Sequence, residues 1–103
     1  MRVTVKGSHY EIKFRHVIHK GGAWYRGHTD CSVSEGMTNI DGKFIGVGLV
    51  VLANTYCSAK DNFCRATGRK ISLGRALLKA FPDKEDRRFI WQQYFKKMGV
   101  VHQ

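Results

Sequence analysis

The chain is short of acid, of proline and of any cysteine framework, and each shortage narrows what it can be. Eight Asp and Glu stand against 18 Lys and Arg, a formal net charge of +10. Such a balance predicts polyanionic partners: nucleic acid, nucleotides or an acidic protein surface. The cations are spread over several segments with no juxtamembrane cluster, which argues against a membrane partner. Cys31, Cys57 and Cys64 are odd in number and have no disulfide or C-x-x-C spacing, so a reducing cytosol is expected and a metal site is not. No apolar run is long enough to cross a bilayer, and the first residues alternate like a strand rather than reading as a signal peptide. The 103 residues suffice for a single domain with one modest core, 1–103.

A single proline, Pro82, closes a stretch that is otherwise free of helix breakers of that kind. Ser58 to Phe81 predicts one amphipathic helix, with Ser58 or Asp61 able to accept the free N–H groups of its first turn. At 100° per residue, Phe63, Cys64, Thr67, Ile71, Gly74, Leu77, Leu78 and Phe81 fall on one broad face. Arg65, Gly68, Arg69, Ser72, Arg75 and Lys79 fall on the other. Four cations there have no intervening carboxylate. Arginine presents a planar fork of donors suited to phosphate, glycine removes an obstructing side chain, and serine adds a hydroxyl. Gly68 costs about 1 kcal/mol relative to alanine in a helix interior, a cost that a closely approaching ligand or backbone would explain. The arc reads either as an anion site or as a solvated face.

Ahead of that helix the pattern is of strands. Arg2–Lys6 is a short one, followed by a turn at Gly7-Ser8. His9–His19 places Tyr10, Ile12, Phe14, His16 and Ile18 on one face. Ala23–Val33 alternates Tyr25, Gly27, Thr29, Cys31 and Val33 with Trp24, Arg26, His28, Asp30 and Ser32, so that Trp24 beside Arg26 and His28 is a candidate stacking surface. Ser34–Lys43 predicts a loop. Phe44–Tyr56, apolar on both faces, predicts a central strand, with Gly46 and Gly48 marking a bulge, a helix crossing or a pocket floor. Asp83 is placed to cap a second helix that ends at Gly99. The stripe Ile90, Trp91, Tyr94, Phe95 and Met98 is wide for so small a chain, and part of it is expected at a subunit interface. The order predicts an α+β domain: a small antiparallel sheet of about four strands with a C-terminal pair of helices.

Three motifs carry a resemblance. They are F-R-H (Phe14, Arg15, His16), R-G-x-T-x-C (Arg26, Gly27, Thr29, Cys31) and C-x-x-K-D-N-F-x-R-x-x-G-R-x-I-x-L-G-R-A-L from Cys57 to Leu77. The pattern, over residues 12 to 80, resembles small bacteriophage-encoded proteins, and among them the type-1 Thoeris anti-defence family, sponges that capture a cyclic ADP-ribose signal. The resemblance implies a small antiparallel sheet with helices, assembly as a homo-oligomer, and action in the host bacterial cytoplasm. It also implies that Arg75 holds ligand phosphates, that Arg26 matches an upstream ligand arginine, and that Ser58 stands where the family carries a polar side chain after the cysteine. Serine there is a departure if asparagine is the rule.

The expected function is therefore non-catalytic binding of a small anionic nucleotide signal, with no cofactor. The competing expectation is a nucleic-acid-binding phage protein or an inhibitor of a host nucleoprotein defence complex, which the charge outside the main helix favours. An enzyme is disfavoured: His16, His28, Asp30 and Asp61 are available as acids and bases, but no spacing ties a nucleophile to a base.

Overall fold

The computed structural model describes residues 1–18, 25–58 and 65–99, with Tyr25, Arg26, Cys57 and Ser58 described by backbone only. Four strands, β1 (Arg2–Val5), β2 (Ser8–Ile18), β3 (Tyr25–Thr38) and β4 (Phe44–Ser58), precede two helices, α1 (Arg65–Ala80) and α2 (Lys84–Lys97). The strands form one antiparallel sheet in the order β1-β2-β3-β4, and the α+β class is as expected.

The first hairpin turns on Lys6-Gly7, one residue earlier than the sequence suggests. Val5 pairs with Ser8, and both turn residues have positive φ (50° and 80°). That mirror-image turn matches the right-handed twist of the flanking strands. Lys6 also reaches Asp83 (2.9 Å) and Asp86 (3.1 Å), joining this turn to the start of α2. Asp83 caps that helix as expected, its carboxylate accepting from the Glu85 N–H at 2.9 Å. The Lys6 ammonium beside it holds the Asp83 carboxyl below the ordinary range, and the Glu85 N–H adds to this.

One face of the sheet is covered. Ile12, Cys31, Val33 and Ala53 from the strands meet Leu73, Ala76, Leu77, Phe81, Ile90 and Tyr94 from the helical segment. These contacts correct three expectations. Ile90 and Tyr94 are core residues, with Trp91 and Phe95 half-buried against them, so the stripe on α2 is spent largely within the chain rather than on a partner. The stretch expected as a loop, 34–43, is strand as far as Thr38, with the reversal confined to the turn around Asn39–Lys43. Gly36 permits this, because a Cβ there would strike the Ile45 carbonyl of β4.

The third correction concerns β4 itself: it lies at the edge of the sheet, not in the middle. Val50 and Val47 have no residue opposite them on β3, so the bulge expected at Gly46 and Gly48 is present. Among the described residues no helix crosses there, and nothing lies within 4 Å of a Cβ built at Gly48.

The rotation of α1 about its axis

The buried line of α1 is Gly68, Ser72, Leu73, Ala76 and Leu77. Relative to the face expected from hydrophobicity, the helix is rolled so that Gly68 and Ser72 lie beneath it while Ile71 and Leu78 are exposed, at 41% and 67%. Small residues recur at four-residue spacing on this buried side (Gly68, Ser72, Ala76), and the Thr29 side chain of β3 lies directly against Gly68. A Cβ on Gly68 would lie 3.0 Å from the Thr29 Cβ and would strike Thr29 Oγ1. Ser72 is satisfied within the helix, donating its hydroxyl to the Gly68 carbonyl at 2.7 Å. Neither residue belongs to the exposed basic arc in which the sequence placed it.

Strand β4 continues to Ser58, so a helix start at that residue is also corrected. The alternative start, Asp61, lies outside the described residues.

Candidate functional site

Rolling α1 onto Thr29 divides the four cations of the arc. The cross-strand row beneath Gly68 is His16, Thr29 and Thr55, one residue from each of β2, β3 and β4. His16 Nδ1 and Thr29 Oγ1 share a hydrogen bond of 2.9 Å. On the β2 side of this row stand Arg65 and Arg69, one helical turn apart, about 6 Å along the axis. Burial, then the charges of Arg69 and Arg65, lower the pKa of His16 from its ordinary 6.5. Among the described residues no carboxylate offsets them.

Arg69 is half-buried, and its Nε is buried with no hydrogen-bond partner. Among the described residues neither Arg65 nor Arg69 has an ion pair. A guanidinium with a buried, unmatched donor is costly, and an anionic acceptor removes that cost.

Arg75 stands on the opposite, β4 side of the row. Its Nη1 donates to the Asn54 carbonyl at 2.7 Å and lies 3.4 Å from Thr55 Oγ1. That contact fastens helix to edge strand, so part of its donor set is committed within the fold. Lys79 is exposed one turn further on, about 21 Å along the axis from Arg65. Four cations so spread do not all touch one small ligand.

The other expected site residues gather at the end of the sheet where this row lies. Tyr25 pairs with Ser58 and Gly27 with Cys57, and the register shift between Tyr25 and Gly27 leaves Arg26 without a partner across the ladder. The backbone thus brings Arg26 and Ser58 to the same end of β3 and β4. Trp24 lies outside the described residues.

No protein-family model, curated protein or solved structure matches the chain. What the site can do is read from its own groups.

His28 and Asp30 occupy the face of the sheet opposite α1, so they cannot act together with His16. Asp30 Oδ2 accepts from Arg15 Nη2 at 2.9 Å and Nε at 3.3 Å, and lies 3.5 Å from His28 Nε2. The His28 ring is tilted against Tyr56 at 5.4 Å between centroids. This is a cross-strand ion pair rather than a base presented to a substrate. Cys31 is fully buried, and burial pushes its thiol up to about 12, so it is not a nucleophile at neutral pH. Among the described residues no group of three or more His, Cys, Asp or Glu could hold a metal ion, and no helix is long and apolar enough to cross a membrane.

The link of His16 to Arg65 and Arg69 is not visible in the sequence as a site. It needs the pairing of His16 with Thr29 and the roll of α1, and neither follows from spacing along one strand.

Proposed function

We propose that the protein binds a small anionic nucleotide without transforming it, at the end of the sheet where Arg65, Arg69 and His16 converge. The observation that carries this is the Arg69 guanidinium: half-buried, without an ion pair among the described residues, and with its Nε unsatisfied. A phosphate set against it supplies the missing acceptor and offsets the neighbouring positive charge. The backbone of β3 and β4 brings Arg26 and Ser58 to the same end of the sheet, and Arg75 bounds it on the far side through its remaining donors. Gly68 contributes by letting α1 lie close on Thr29, which brings Arg65 and Arg69 over His16.

In the setting that the motif resemblance implies, the ligand is a cyclic ADP-ribose-type immune signal. The protein is then a phage anti-defence sponge in the host bacterial cytoplasm, working as a homo-oligomer. Sequestration at nanomolar affinity requires about −12 kcal/mol, more than an open helix face supplies, so several of these cations must act together.

The test is to incubate the chain with nucleotide signals, remove unbound ligand, denature by heat and identify what is released. Intact ligand supports the reading, and a converted product or an empty release refutes it. Arg69→Ala removes a charge-assisted contact and should weaken binding by about 1.5–3 kcal/mol. Its unliganded melting temperature should hold or rise, because an unsatisfied buried donor is lost with it.

A second reading, nucleic-acid binding, is favoured by α2. A shallow cavity of about 370 Å³ is lined by Lys84, Arg87, Arg88, Trp91 and Phe95. Trp91 and Phe95 are stacked at 5.6 Å. Cations beside half-exposed rings suit a single strand. Steep loss of affinity with salt, on the scale of many phosphate contacts, distinguishes it from a pocketed nucleotide.

A further inference from the structure

We propose that a phosphate-class anion binds where the last turn of α2 meets the first residues of the chain, in an open cavity of about 340 Å³ lined by Met1, Arg2, Gln93, Lys96 and Lys97. This place is separate from the Arg65 and Arg69 end. Met1 lies beside Ile12: its ammonium donates to the Ile12 carbonyl at 2.7 Å, and its own carbonyl accepts the Ile12 N–H at 2.7 Å. Ile12 stands about 13 Å along β2 from His16.

The fold holds these cations together instead of scattering them over a solvated surface. The Met1 side chain packs against the core, which fixes its ammonium in place. Burial lowers the pKa of that ammonium from the ordinary 8.0, Glu11 works against this, and Lys97 and Arg2 add to the lowering. Glu11 is a poor partner: its Oε2 lies 3.9 Å from the Met1 nitrogen and 3.7 Å from Arg2 Nε, and that oxygen is buried without a hydrogen bond. Among the described residues no carboxylate pairs with Lys96 or Lys97. The C-terminus of α2 adds a partial charge of about −0.5. Set against Glu11 and this dipole, the ammonium, Arg2, Lys96 and Lys97 leave an excess of about 2.5 positive charges.

Charge and shape select the ligand. A dianion neutralises most of that excess, and a carboxylate monoanion less than half. Phosphoryl oxygens accept on several sides at once, which suits an ammonium, a guanidinium and the Gln93 amide converging from different elements. Arg2 is already steadied, with Nη1 donating to the Gly42 carbonyl at 3.1 Å and its guanidinium 5.9 Å from the centre of the Phe44 ring, and the rest of its fork is left for a ligand. No aromatic ring lines the cavity, so a base would find nothing to stack on. The recognised group is the phosphoryl itself, as free phosphate or as the phosphomonoester of a small molecule.

Amide chemical shifts of the untagged full chain, titrated with inorganic phosphate and with ribose 5-phosphate, test this. Carrying Arg69→Ala throughout weakens the other anion site, so the two cannot be confused. The expected result is saturable shifts at Gln93, Lys96 and Lys97 with Kd below about 1 mM. Tighter binding of ribose 5-phosphate identifies a phosphomonoester as the source, and equal or tighter binding of phosphate the free ion. Lys96→Gln/Lys97→Gln, at exposed positions, should weaken binding at least about 10-fold with unchanged circular dichroism. Lys13→Gln, which removes an exposed cation from β2, should change it less than about twofold. Sulfate keeps its charge between roughly pH 6 and 9, so its affinity should fall across that range as the Met1 ammonium loses its proton. Shifts that do not saturate at these three residues overturn the proposal. So does a double variant that binds as its parent, a Lys13→Gln chain weakened as much as the pair, or sulfate affinity that is flat with pH.

Discussion

Gly68→Ala puts opposing magnitudes on one atom. On an isolated helix the change is favourable by about 1 kcal/mol, since alanine is the better helix former. Here the new methyl strikes Thr29 Oγ1 and comes within 3.0 Å of the Thr29 Cβ. Thr29 is fully buried, so it has no free space into which to withdraw, and turning its hydroxyl away breaks the bond to His16. Overpacking costs about 1–3 kcal/mol, and the lost hydrogen bond about 0.5–1.5 kcal/mol more. Against the gain in propensity, the net expectation is a loss of about 1–3 kcal/mol. For a chain of this length that lowers the melting temperature by roughly 5–20 °C. Thermal and urea unfolding followed by circular dichroism measure it. Thr29→Ala removes the hydroxyl but not the Cβ, so Gly68→Ala introduced into that background should cost no more than half as much, with a coupling of at least about 1 kcal/mol. A melting temperature equal to or above wild type would refute the placement of Gly68 on β3, and with it the roll of α1.

Arg75→Ala should lower stability by about 0.5–1 kcal/mol in the absence of any ligand, because its guanidinium holds the Asn54 carbonyl at an exposed position; a urea midpoint that does not move would refute that role. His16 titrates below 6.5 in the folded chain. The unfolded chain therefore takes up this proton at higher pH than the folded one. The stability His16 contributes is complete above 6.5 and is lost as pH falls from there toward the folded value. Arg69→Ala should raise the His16 pKa part of the way back, burial remaining, as read from imidazole resonances by NMR. An anion bound at the cluster should raise it too, so that affinity increases as pH falls through this range; affinity flat with pH would remove His16 from the site.

Alternation along the chain is enough to place the strands and their inward faces: Ile12, Cys31 and Val33 point inward as period two requires. The cap at Asp83 and the stop at Gly99 are equally legible, because caps depend on a few neighbouring backbone groups. The charge of +10 is composition alone. Tertiary structure decided three other matters. An apolar, uncharged β4 reads as central because burial on both faces is the usual reason for such a run, and only the order of strands reveals that it is an edge. The stretch 34–38 carries turn-forming residues, yet pairing with β4 keeps it extended, since a hairpin long enough to continue its ladder satisfies those backbone groups. The roll of α1 escapes a hydrophobicity wheel because Gly68 and Ser72 count as polar there. Against a sheet their smallness matters more: close approach of helix to strand yields dispersion over the whole contact, whereas larger Ile71 and Leu78 would hold the helix away.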